Sequence, residues 1–190
     1  MYTKARIAGH PIHPALIAFP VALYTSTVVA LIVHAATGDP FWFRAAMWTN
    51  IGGVVMAAVA AIPGFIDLIS LPRHSRALKT GLRHAGFNVF ALVLFIISGV
   101  LLINRYYGSV AGTANLTWVA PLVLSAIGLC STVVAGTLGW ALVQTHHVGV
   151  RPTEYGVARA PGQVDDLDEL AATPPTIIVE QRTEERVLRH

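Results

Sequence analysis

The sequence predicts an all-α integral membrane protein, an antiparallel four-transmembrane-helix bundle followed by a disordered C-terminal tail. Of the 190 residues, 54% are hydrophobic and 12% are charged, whereas a soluble domain carries about 25% charged residues. The mean hydropathy is +0.61. Four long stretches are almost free of charge, and the segments between them are short and rich in turn residues. Too few charges are present to cover a water-exposed surface, so the excess apolar side chains face lipid.

The first span lies at about 14–36. Pro14 to Ala36 contains no Asp, Glu, Lys or Arg, and crossing a hydrocarbon core of ~30 Å takes about 20 helical residues. Lys4 and Arg6 ahead of this run, with Val33-His34-Ala35 at its end, also resemble a signal peptide and its cleavage site. The apolar run outlasts the roughly 7–15 residues of such a segment and further spans follow it, which favours a retained helix. The second span, about 45–72, holds one charge, Asp67; the third covers about 82–105 and the fourth about 116–146. Thr37-Gly38-Asp39-Pro40, Pro72 to Arg83, and Tyr106 to Asn115 supply the turns. Short connections give up-and-down topology. Pro20, Pro63 and Pro121 each remove an amide donor inside a span, so kinks are expected. Small residues from Gly52 to Gly64 and from Gly128 to Gly139 allow close helix approach or room for a flat cofactor.

Residues 1–150 thus read as the transmembrane domain and residues 151–190 as a separate tail. The tail has Pro152, Pro161, Pro174-Pro175 and the acidic run Asp165-Asp166-Leu167-Asp168-Glu169, with no apolar period long enough to build a core. Lys4, Arg6, Arg73, Arg76, Lys79, Arg83 and Arg151 flank one side of the four spans, against Arg44 and Arg105 on the other. The positive-inside bias places both termini in the cytoplasm of a multi-pass protein of the cell inner (plasma) membrane. The basic residues sit where anionic headgroups meet the helix ends, which explains the pI near 9.4 without nucleic acid. The single cysteine, Cys130, excludes an internal disulfide and a Cys-rich metal cluster.

That topology gathers the polar residues. His10 and His13 enter the first helix from the cytoplasmic side, Asp67 and His74 lie at the cytoplasmic end of the second, His84 opens the third, and His146 and His147 close the fourth. Asp67 sits about 7 Å inside its helix end, at 1.5 Å per residue, where an ionised carboxylate usually has a partner. Arg83, His84 or His13 could be that partner; a position at headgroup level, paired with Arg73 or Arg83, is the plainer alternative. His84 and Asn88 share a helix face at i, i+4, and an interhelical hydrogen bond that fixes packing is the plain reading of both. Together the histidines suggest a metal or haem site, with neutral imidazole as the ligand. None of the spacings is a specific metal motif. No nucleophile elbow, phosphate loop or His-Glu-x-x-His pair is present, so no independent catalytic activity is expected.

Gly9-His10-Pro11-Ile12-His13-Pro14-Ala15-Leu16, Phe19-Pro20-Val21-Ala22-Leu23, Ile62-Pro63-Gly64-Phe65-Ile66-Asp67, His84-Ala85-Gly86-Phe87-Asn88, and Gly136-Thr137-Leu138-Gly139 through His147-Val148-Gly149-Val150 occur in this order. In them the chain resembles a bacterial membrane family, the domain of unknown function 2231. The resemblance covers residues 9–150 and implies a four-helix membrane domain. Some members are fused to a Rieske iron–sulfur domain, which implies electron transfer near a quinone or haem. Position by position it implicates His10, His13, Asp67, His84, Asn88 and His147 as cofactor-binding residues. The chain departs from fused members, which tend to have Gly-Gly-His-Leu where it has Gly139-Trp140-Ala141-Leu142, and one cysteine cannot supply a Rieske cluster.

Two functions follow as expectations. The first is a haem- or metal-binding subunit of membrane electron transfer, holding haem b or a transition metal through His13 and His84, with Asp67 orienting an imidazole and a separate redox protein as partner. The alternative is a non-enzymatic structural or regulatory membrane module in which the same residues form a buried polar network and the tail binds a cytoplasmic partner.

Overall fold

The computed structural model describes residues 6–7, 10–112, 115 and 117–149. The expected disordered tail lies outside these residues. Among them, a two-residue antiparallel pair, β1 (Arg6–Ile7) and β2 (His10–Pro11), leads into a short helix α1 (Ile12–Leu16) and four long helices. These are α2 (Ala18–Thr37), α3 (Pro40–Ile69), α4 (Arg76–Val110) and α5 (Val119–Gln144). With α1 joined to α2, all four are long and apolar enough to cross a membrane. No more than 33% of the most apolar window of any span is buried within the bundle, and Trp48, Ile62, Phe65 and Trp140 are more than 60% exposed. In water this surface would be untenable; the protein is embedded in the bilayer as a multi-pass helical bundle.

Local chemistry fixes the helix ends. Gly38 ends α2 in the left-handed conformation (φ 69°), donating its N–H to His34 O at 2.8 Å, a role for which glycine carries no Cβ penalty. Asp39 then caps α3 by accepting from Phe41 N at 2.8 Å, with Pro40 in the first turn where a missing N–H costs nothing. Ser75 accepts from Leu78 N at 3.0 Å, so α4 starts at Arg76 and carries Arg76, Lys79 and Arg83 on its first turns, ahead of the apolar stretch. Hydroxyls within the spans are satisfied by their own helix: Thr25, Ser26, Thr27, Thr49 and Thr132 each donate to the carbonyl four residues back, which removes an exposed polar group from lipid.

The helices pack as two hairpins, α2 with α3 and α4 with α5, and each of α3 and α2 also touches the other hairpin, α3 on α4 and α2 on α5. The diagonals of this square are α2/α4 and α3/α5. One end of the core, beside the α2–α3 turn, is mostly apolar: Ala30, Leu31, Phe43, Ala46, Met47 and Leu102 are buried together, with Trp42, Tyr106 and Trp118 against them, and His34, also buried, lies edge to face with Phe43 and donates from Nδ1 to Asp39 O at 2.9 Å. The other end carries His13, Asp67, His84, Asn88 and His146.

Candidate functional site

Two histidines meet at the polar end from opposite corners of the bundle. His13, on α1, and His84, on α4, lie edge to face with ring centroids 6.2 Å apart and planes at 88°. Each is fastened to a neighbouring helix by the same construction. His13 Nδ1 donates to Ala60 O of α3 at 2.8 Å. His84 Nδ1 donates to Ala135 O of α5, also at 2.8 Å. A carbonyl oxygen only accepts, so both rings carry their proton on Nδ1.

One helical turn beyond each acceptor stands a glycine on which the imidazole rests. A Cβ on Gly64 would lie 2.8 Å from His13 Cε1 and Nδ1; on Gly139 it would lie 3.2 Å from His84 Cε1. The residues Ala60 to Gly64 and Ala135 to Gly139 are therefore matching receptors, an alanine offering its carbonyl and a glycine offering space. On α3 the receptor includes Pro63, inside the continuous helix, which has no N–H for the carbonyl of Val59. Ala60 is the next residue, and its carbonyl takes the imidazole.

Asn88 completes the second fastening. Its Nδ2 donates to His84 O at 2.9 Å and to His84 Nε2 at 3.1 Å, so both nitrogens of the His84 ring are engaged. Ser131 Oγ donates to Phe87 O at 2.8 Å, a second side-chain tie between α5 and α4. His146, at the end of α5, is 3.2 Å from Thr80 Oγ1 through Nε2. Asp67 is half-buried near the end of α3, where its carbonyl accepts from Ser70 Oγ at 2.7 Å. His147 is exposed, just past α5, in a left-handed conformation (φ 50°). His10 lies in β2, and its side chain is outside the described residues.

A family model described as a predicted membrane protein, DUF2231, matches residues 9–152. The chain belongs to the DUF2231 family. No curated protein and no solved structure matches it.

For this DUF2231 chain the expectation of a haem or metal centre is corrected by the geometry, and the expected role in electron transfer falls with it. Among the described residues no group of three or more His, Cys, Asp or Glu side chains is placed to hold a metal ion. The physical reason is visible at His84. A ligand nitrogen needs a free lone pair, but Nδ1–H is committed to Ala135 O and Nε2 already accepts from Asn88. His13 and His84 stand together without being a ligand pair for haem b or a transition metal. Sequence reasoning located these residues but missed their acceptors, because a backbone carbonyl has no signature in the amino-acid code. The signal that was present is the recurrence of Ala-x-x-x-Gly at Ala60 to Gly64 and at Ala135 to Gly139.

Proposed function

We propose that this DUF2231 protein is a non-enzymatic structural or regulatory membrane module, with its polar end set rigidly by helix-to-helix hydrogen bonds and its acidic tail binding a cytoplasmic partner. The single observation that supports the reading is the paired fastening of His13 to Ala60 O and of His84 to Ala135 O. Inside a bilayer an unsatisfied imidazole or carbonyl has no water to turn to, so such bonds select one packing of the helices. In this reading His13, His84 and Asn88 are packing residues, and His10, Asp67 and His147 border the same face.

The excess of Lys and Arg at that end supports a cytoplasmic orientation for it and for both termini. The run from Asp165 to Glu169 then presents clustered negative charge in the cytoplasm, which suits a basic protein surface. The test is a comparison of full-length protein with a form in which Asp165, Asp166, Asp168 and Glu169 are changed to Asn or Gln, each recovered from membranes under mild detergent. Partners held by the wild-type tail and lost from the neutralised form support the reading. An unchanged partner set removes the tail from it.

A further inference from the structure

The two histidine fastenings are part of a longer correspondence. One and the same sequence spacing separates His13 from His84, Tyr24 from Phe95, Thr27 from Ser98 and Leu31 from Leu102; a second common spacing separates Asn50 from Ser125, Gly53 from Gly128, Ala60 from Ala135 and Gly64 from Gly139. The contacts correspond as well as the positions. A Cβ on Gly53 would lie 2.6 Å from the Tyr24 ring and 3.4 Å from Leu23 Cβ, and one on Gly128 would lie 2.8 Å from the Phe95 ring and 3.5 Å from Leu94 Cβ. Tyr24 and Phe95 then stack on each other across the α2/α4 diagonal. The hairpin α2–α3 and the hairpin α4–α5 are two copies of one unit, related by a pseudo-twofold axis that runs along the bundle. Many secondary transporters built from repeats bind their substrates where the repeats meet.

One helical turn from the Tyr24–Phe95 stack, each long helix contributes one polar side chain with 0% exposure: Thr27 from α2, Asn50 from α3, Ser98 from α4 and Ser125 from α5. Thr27 and Ser98 are counterparts, as are Asn50 and Ser125. Three of the four are satisfied. Ser98 Oγ lies 2.9 Å from Ser125 Oγ and 3.1 Å from its acceptor Pro121 O, and Thr27 donates to Leu23 O and lies 3.0 Å from Thr49 Oγ1. Asn50 is different. Its Oδ1 reaches α4 closely enough that a Cβ on Gly99 would lie 2.5 Å away, yet neither Oδ1 nor Nδ2 has a hydrogen-bond partner among the described residues.

We propose that this layer is an internal water site, with the Asn50 carboxamide as its principal ligand. The amide offers two donors and an acceptor, all out of reach of solvent. Lipid cannot satisfy them, and a buried water typically makes about three bonds to such groups. The layer has no charged side chain, which disfavours an ion. Leu31, Phe43, Met47 and Leu102 are fully buried and Tyr24 stacks on Phe95, and an interior packed this closely suits no guest larger than a water. The repeat explains why the site is on one side of the axis: where the second unit has Ser125, already bonded to Ser98, the first has the larger amide. Among the described residues the Tyr24 hydroxyl, which Phe95 lacks, is the one further buried side-chain polar atom without a partner.

The test is water-edited solid-state NMR on the full chain in lipid bilayers. Threonine labelled with 13C and asparagine with both 13C and 15N assign the Asn50 side chain without any variant, through the Thr49 carbonyl carbon, the Asn50 backbone nitrogen and the Asn50 side-chain carbons, since Thr49-Asn50 is the one Thr-Asn pair in the sequence. Polarisation should pass from water to the Asn50 side-chain amide as it does to the exposed Asn115. An Asn50 amide that receives none, in protein whose Asn115 does, overturns the proposal.

Discussion

Tyr24 of α2 and Phe95 of α4 stack face to face through the middle of the bundle, with ring centroids 3.6 Å apart and planes 3° from parallel. Each ring rests on a glycine of the adjoining helix, Gly53 for Tyr24 and Gly128 for Phe95. Two close glycine approaches and one aromatic contact thereby tie all four helices at one level.

Gly53→Ala and Gly128→Ala should both destabilise the protein, because a methyl at either site enters a ring that cannot move without displacing its partner. Overpacking of this kind costs roughly 1–3 kcal/mol. Tyr24→Phe keeps the stack and should be close to neutral. Tyr24→Leu loses it, at about 0.5–1.5 kcal/mol beyond the change in buried area. Unfolding midpoints in a detergent titration rank the four variants.

The histidine receptors should show graded responses. Gly64→Ala places its Cβ 2.8 Å from His13, Gly139→Ala places its own 3.2 Å from His84, and Gly136→Ala meets nothing within 4 Å. The expected order of stability is Gly136→Ala, then Gly139→Ala, then Gly64→Ala. The first should equal or exceed wild type, since Ala gains up to about 1 kcal/mol over Gly in a helix interior.

His13→Ala and His84→Ala should each lower stability by roughly 1–3 kcal/mol, combining a lost interhelical bond with a partly filled space. Asn88→Ala should have a smaller effect than His84→Ala, because it leaves the bond to Ala135 in place. Elemental analysis should find the same metal content in the variants as in wild type, and a stoichiometric metal that His84→Ala releases would count against packing as its role.

Membrane orientation is open to direct labelling. In a Cys130→Ala background, Arg76→Cys should react with an impermeant maleimide only after the cytoplasmic face is opened, and Asn115→Cys should react in intact cells. The reverse pattern would put the basic face outside.

Much of the fold was legible because the bilayer imposes a coarse rule. Charge-free runs long enough to cross it, such as Pro14 to Ala36 and Leu116 to Thr145, have few alternatives. Turn chemistry at Gly38-Asp39-Pro40 was equally visible, and the glycine, the cap and the first-turn proline each take the place their conformational preferences dictate. His13, His84 and Asn88 were recognisable as polar groups that short connections bring to one end. What they bond to was not recognisable. An imidazole among other histidines suggests a metal by its side-chain chemistry alone, whereas its acceptors here are the main-chain carbonyls of two alanines. Asn50 was overlooked for a related reason: one amide in an apolar run looks incidental until the helices around it show that nothing in the layer answers it.

The state of the two imidazoles tests the packing role most directly. In 15N spectra of histidine-labelled protein in bilayers, the rings of His13 and His84 should both carry hydrogen on Nδ1, with His84 Nε2 unprotonated and hydrogen-bonded, and added zinc should leave these resonances in place. A His84 ring protonated on Nε2 with a bare Nδ1, or one whose resonances shift when zinc is added, would contradict it.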